Sequence, residues 1–124
     1  SSKKTSSKFS LKYKDDVGYA NNNIFSTDTI CEGVHFHRDD EPFLVAKKLI
    51  RVNVSDIIAK GITPKFCLLN LSLGRNVDDV WINNFMKGID SDLNFFKLNL
   101  IYVKRERFFY PISALTSINS FLSA

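Results

Sequence analysis

Residues 65–73 read Lys-Phe-Cys-Leu-Leu-Asn-Leu-Ser-Leu, with Cys67, Leu69, Leu71 and Leu73 on one face and Phe66, Leu68, Asn70 and Ser72 on the other. A side-chain period of two describes a half-buried strand. The chain on either side changes to helical spacing. Asp39-Asp40-Glu41-Pro42 is a helix start, because acids favour the N-terminal dipole and proline is tolerated at the first helical position. The periodicity predicts a helix from about Pro42 to Lys60, stopped by Gly61 and then Thr63-Pro64. A second helix is predicted to begin at an Asn76 cap and to run to about Lys97. Its apolar stripe is Val77, Val80, Trp81, Phe85, Ile89, Leu93 and Phe96, with Gly88 a weak point near the centre.

Upstream, Asp15 to Asn23 is turn-rich, with two acids, Gly18 and three consecutive asparagines. Ile24 to His37 looks extended, which would put His35 and His37 on one face of a strand. Leu98 to Val103 reads as a further strand, and beyond it the pattern is irregular. The order strand, helix, strand, helix, strand points to a mixed α/β or α+β domain.

The chain has 124 residues, 44% of them hydrophobic, with eleven Phe, four Tyr and one Trp; it can therefore fill a real core. The formal charge is +4, but Lys3, Lys4, Lys8, Lys12 and Lys14 contribute +5, leaving −1 for the rest. Basicity confined to a Ser/Lys-rich end is that of a solvated flexible tail over residues 1–14, and no nucleic-acid partner is expected. Cys31 and Cys67 form no CxxC pair, as in a cytoplasmic protein with reduced thiols. The N-terminal stretch has charge but no apolar segment of signal type, and no apolar run approaches the roughly 20 residues of a membrane span.

The first predicted helix holds the best chemical clue. At about 100° per residue, Ala46, Leu49, Ile50, Val54 and Ile57 share one sector, Asn53 falls inside it, and Asp56 falls on its edge. Lys47, Lys48, Arg51 and Ser55 take the solvent side. A carboxylate on the core-facing edge is costly unless it is paired or binds a cation, and an internal salt bridge with Lys60 is the plainer alternative. In Ser26-Thr27-Asp28-Thr29, alternation puts Ser26 and Asp28 on one face. Magnesium suits such scattered oxygens, completing its shell with water and phosphate. Ser-Thr-Asp-Thr can equally be a polar strand edge, and Asp15-Asp16 before Gly18 a turn. Cys31, His35 and His37 match no closed zinc site. Neither a Walker loop nor a G-x-S-x-G elbow occurs.

Taken together, Asp15-Asp16, Ser26-Thr27-Asp28-Thr29 with Glu32-Gly33-Val34-His35-Phe36, Val52-Asn53-Val54-Ser55-Asp56-Ile57-Ile58-Ala59 and Gly61-Ile62-Thr63-Pro64 resemble the N-terminal domain of the thiamine-monophosphate kinase family. The resemblance covers about Asp15 to Ile101 and includes the Trp81 helix. It implies the α+β fold of the aminoimidazole ribonucleotide synthetase-like superfamily, with a mixed or antiparallel sheet flanked by two main helices. It also implies transfer of the ATP γ-phosphate to thiamine monophosphate. Asp16, Ser26, Thr27, Asp28 and Asp56 would be Mg²⁺ ligands, His35 would contact substrate, and the domain would form a homodimer through its sheet. Phosphoryl transfer relies on positioning and charge neutralisation more than on a covalent nucleophile, which suits this residue set.

Three departures qualify the resemblance. Lys12-Tyr13-Lys14 stands where the family has Gly-Ile-Gly, and the family's leading helix does not precede it. After Ile101 the family's Gly-Gly-Asp, whose acid is a further ligand, is replaced by Tyr102-Val103-Lys104-Arg105-Glu106. The family's C-terminal domain is also expected to be missing. The expectation is a tail at residues 1–14, an ATP- and Mg²⁺-binding domain at 15–101 and a divergent tail at 102–124. Such a truncated or frameshifted frame would have little kinase activity unless a separate C-terminal half completes it; otherwise it would persist as a non-catalytic dimerising module.

Overall fold

The computed structural model describes residues 17–20, 23–59, 61–107, 109 and 111–122, with side chains for 25–59, 61–107, 109 and 111–115. The tail at 1–14, Asp15, Asp16, two of the asparagines and Lys60 lie outside the described residues. Five strands, β1 (Val17–Ala20), β2 (Asn23–Cys31), β3 (Phe66–Leu73), β4 (Asn99–Arg107) and β5 (Ala114–Leu122), form one sheet in the order β1-β2-β5-β3-β4. Two helices, α1 (Pro42–Ala59) and α2 (Asp79–Phe96), connect β2 to β3 and β3 to β4.

β3 and β4 are parallel, whereas β5 runs antiparallel to both β2 and β3. β2 and β3 are therefore parallel to each other across β5, and each helix is a crossover between parallel strands. Both crossovers step the same way across the sheet. With the usual right-handed sense, both helices fall on one face. The core agrees: Ile30, Cys67, Leu69, Leu71, Leu73 and Leu115 from the sheet join Val45, Leu49, Ile50, Val54, Phe85 and Ile89 from the helices in one buried cluster. β3 buries Cys67, Leu69, Leu71 and Leu73 as its alternation predicts, and this fold is the expected α+β arrangement.

Helix boundaries follow local chemistry. α1 starts at Pro42 and is followed by Gly61 at φ +76°, a conformation that favours glycine. α2 is capped by Asp78, not Asn76: the Asp78 carboxylate accepts the Trp81 amide at 2.8 Å. Asn76 lies within a turn closed by the Val77 amide on the Gly74 carbonyl. Gly88 explains itself through packing. A Cβ there would lie 2.3 Å from the Phe43 carbonyl oxygen and 2.8 Å from the Ala46 Cβ, so the two helix backbones approach too closely for any side chain.

Two expectations are corrected. The extended segment ends at Cys31, not His37. Gly33 takes φ +86° and turns the chain, so His35 and His37 share no strand face. The segment from 102 to 124 is not a tail beyond the domain. β4 continues through Arg107, and β5 lies in the middle of the sheet. A central strand is held by backbone ladders on both sides, and Ala-Leu-Thr-Ser-Ile-Asn-Ser-Phe-Leu needs no strong alternation to form them. Its core contribution is Leu115, paired across from Ile30 and Leu71 and fully buried.

The acid buried beneath the helices is Asp92 of α2, whose side chain is 0% exposed. Arg51 of α1 donates to both of its oxygens, at 3.1 and 3.2 Å, and Lys47 lies 4.0 Å away. The hydrogen bond to Asp92 raises the Arg51 guanidinium above its ordinary value, and Phe95 and Phe96 flank the cation at 5.7 and 5.8 Å.

Two stability tests follow from the helix pair. Gly88→Ala should destabilise the fold by about 1–3 kcal/mol through overpacking, despite alanine's better helix propensity; chemical denaturation checks this, and an unchanged midpoint would refute the close crossing. Arg51→Met should lower the melting temperature by leaving the buried Asp92 carboxylate without its main partner. Adding Asp92→Leu to that variant should restore part of the loss, because the orphaned charge is then removed.

Candidate functional site

The site is built where α1 crosses β2. Ser26 and Ile30 of β2 are both buried, so their face, which Asp28 shares by alternation, is the one beneath the helices. The Ser26 hydroxyl donates to the Asn53 Oδ1 at 3.3 Å, a buried bond that ties β2 to the middle of α1. Asn53 is 1% exposed, as its angular position predicts, and a polar group buried there must be hydrogen-bonded.

Asp28 is exposed, and its Oδ1 accepts the Thr29 amide at 2.8 Å. Its second oxygen makes no hydrogen bond among the described residues. Asp56, one turn after Asn53, is also exposed. The cost of burying it therefore does not arise, which corrects the reason for singling it out: the wheel placed it on the edge of the buried sector, and that edge is open to solvent. Lys60, its alternative partner, lies outside the described residues. Thr27 is exposed and alternates to the other face of β2, away from Ser26 and Asp28.

Among the described residues, no group of three or more His, Cys, Asp or Glu stands close enough to hold a metal. The expected ligand set is not of that kind: two of its members are hydroxyls, and Asp16 lies outside the described residues. The donors that remain, Ser26, Asp28 and Asp56, are all oxygens on or beside the β2–α1 contact. That chemistry fits a hard cation and not zinc.

β2 runs directly into a compact turn. The Gly33 amide donates to the Phe36 carbonyl at 2.7 Å, and the Val34 and His35 amides both donate to the Cys31 carbonyl. Phe36 is 4% exposed and pins the turn to the core. His35 is exposed. Its Nδ1 accepts the Cys31 amide at 2.9 Å, and its carbonyl accepts the Lys48 Nζ from α1. His37 belongs to a separate turn, its amide bonded to Asp40 at 2.7 Å. Ser26, Asp28 and His35 thus lie along β2 and the turn that follows, with α1 contributing Asn53, Asp56 and the Lys48 anchor. Asn53 and Lys48 were not expected as site-forming residues. Only Asn53 left a trace in the sequence, as the one polar residue inside the apolar sector.

Residues 14–102 match the family described as AIR synthase related protein, N-terminal domain. The thiamine-monophosphate kinase of Buchnera aphidicola subsp. Schizaphis graminum is 41% identical over 76 residues, 61% of this chain and 23% of that protein. The Escherichia coli K12 enzyme is 35% identical over 97 residues, 78% of this chain and 29% of its own length. The chain therefore spans about a quarter of the relatives it matches. The crystal structure of Aquifex aeolicus thiamine monophosphate kinase superposes with a TM-score of 0.81 at 27% identity, covering 95% of this chain and 39% of that one. The same enzyme complexed with AMPPCP and TMP gives 0.76 at 25% identity, over 97% of this chain and 40% of that one. The structural likeness continues past residue 102, where the family match stops. No described helix is long and apolar enough to cross a membrane. On the match over residues 14–102, the chain belongs to the family of AIR synthase related proteins, through their N-terminal domain.

Proposed function

We propose that the chain forms the cation- and phosphate-binding part of a cytoplasmic thiamine-monophosphate kinase, the ATP-dependent enzyme that makes thiamine diphosphate. Asp16, Ser26, Asp28 and Asp56 would gather Mg²⁺, Thr27 on the other face of β2 would not join them through its side chain, and His35 would touch thiamine monophosphate. The observation that carries this reading is the buried Ser26–Asn53 bond, which seats the oxygen-bearing stretch of β2 against the turn of α1 that leads to Asp56.

The geometry supports these roles. Ser26 donates its proton to Asn53, so the hydroxyl oxygen keeps lone pairs for a cation. Asp28 is pre-oriented by the Thr29 amide, which leaves its other oxygen to ligate. Asp56 contributes a second carboxylate from the helix. Bound Mg²⁺ would neutralise the phosphate charge that builds up during transfer. Exposure of Asp28 and Asp56 suits groups that exchange water for phosphate oxygens. The family's Gly-Gly-Asp acid is replaced here by Tyr102-Val103-Lys104, so turnover by this span alone should be at background.

Magnesium alone should raise the melting temperature, with a gain of about 2.7 kcal/mol at a concentration 100 times Kd. Asp28→Asn and Asp56→Asn should each remove most of that gain while leaving the metal-free melting temperature within a degree or two. A coupled assay with ATP, Mg²⁺ and thiamine monophosphate should show no turnover above background. Stabilisation that survives both substitutions would overturn the metal reading.

A dimerising role has its own support. The sheet face away from the helices presents half-buried Phe66 and Leu68, with Tyr102 paired beside Leu68 and 57% exposed. Sedimentation velocity should give a homodimer that Leu68→Lys converts to monomer. A monomer at all concentrations would exclude this face as the interface.

A further inference from the structure

His35 carries more information than its expected contact with substrate. A ring nitrogen that accepts an amide hydrogen bears no proton, and the Cys31 amide lies 2.9 Å from Nδ1. In a neutral imidazole the proton is then on Nε2, because the hydrogen bond made by one nitrogen sets the state of the other. Nε2 makes no hydrogen bond among the described residues, and the side chain is exposed. The only polar function left to meet a ligand is an N–H.

The surroundings hold this arrangement. Gly33 at φ +86° lets the chain double back so that the His35 ring reaches the amide of Cys31, four residues earlier. The paired amides of Val34 and His35 on the Cys31 carbonyl, and the Gly33 amide on the Phe36 carbonyl, close the turn. Lys48 of α1 grips the His35 carbonyl, so the turn keeps a fixed relation to the helix that also carries Asp56.

We propose that His35 is a positioning residue whose ring proton sits on Nε2. It closes the Cys31–Phe36 turn through Nδ1 and presents Nε2–H to an acceptor oxygen of the ligand, such as that of a phosphate. The ligand half of this assignment rests on the proposed function; the state of the ring does not. A cationic group would find no acceptor on this ring, whereas an anionic oxygen meets the Nε2–H donor.

The test uses the full chain, free of ligand, with ¹⁵N-labelled histidine. At neutral pH, long-range proton–nitrogen spectra should show the His35 Nδ1 as the unprotonated, pyridine-like nitrogen and Nε2 as the protonated one; the reverse pattern overturns the proposal. His35→Asn keeps an acceptor near the Nδ1 position and should retain protection of the Cys31 amide against hydrogen exchange. His35→Ala should speed that exchange by roughly fivefold, the equivalent of one ordinary hydrogen bond. Equal exchange in both variants would remove His35 from the turn. Thiamine monophosphate should then shift the Nε2 signal of the wild-type chain. If it perturbs resonances elsewhere but not Nε2, the donor role is wrong. If it perturbs none at all, the functional reading falls, and the ring assignment is decided by the ligand-free spectrum.

Discussion

α1 is fixed from two sides, and the candidate site depends on both. From above, α2 presses a bare glycine, Gly88, against the Phe43 carbonyl and Ala46, which lets the helices meet at backbone distance. From below, Asn53 reaches into the sheet and receives the Ser26 hydroxyl. Neither contact is strong by itself. A net hydrogen bond contributes about 1 kcal/mol, but a buried amide left without one costs more, so the seating of the helix is specific as well as stable. Rotate α1 by one residue and Asn53 leaves its partner while Asp56 swings away from β2. The Arg51–Asp92 pair on the other side of α1 opposes that rotation.

The elements with strong periodicity were legible in the sequence. Cys67, Leu69, Leu71 and Leu73 are buried as their alternation requires, and α1 begins at Pro42 as its acidic lead-in and proline predict. What remained hidden was set by tertiary partners. β5 carries Thr116, Ser117, Asn119 and Ser120 among its apolar residues, and its strand character comes from the two ladders that hold it. Gly88 reads as a flaw in a helix until the neighbouring helix is in view. Asp92 follows Phe85 and Ile89 on the buried stripe of α2, at about 100° per residue, while Asp90 and Asn94 fall on the opposite side; its periodicity carries the same signal as that of Asn53.

The site was legible to a different degree. Shared burial of Ser26 and Ile30 follows from strand alternation, and Asn53 from the helical wheel. The wheel overestimated Asp56 because it assigns a whole angular sector to the core, whereas at the end of α1 only Ile57 is buried and Asp56, Ile58 and Ala59 are exposed. His35 was misplaced on a strand because Ile24 to His37 contains many β-formers, and Gly33 alone reverses the chain. Resemblance to a family singles out His35 by the residue set and its spacing and not by the conformation of one turn.

The central place of β5 has a consequence for how the molecule is made. Its partners in β2 precede it by roughly eighty to a hundred residues, so the contact order of the sheet is high. Until residues 114–122 are available, β2 and β3 have no strand between them, and each presents an open edge. A nascent chain can form α1 and α2 early, but it cannot close its sheet until residues 114–122 have left the ribosome. Folding of this unit should therefore be late and concerted, with the unpaired edges of β2 and β3 as the points most open to misassociation.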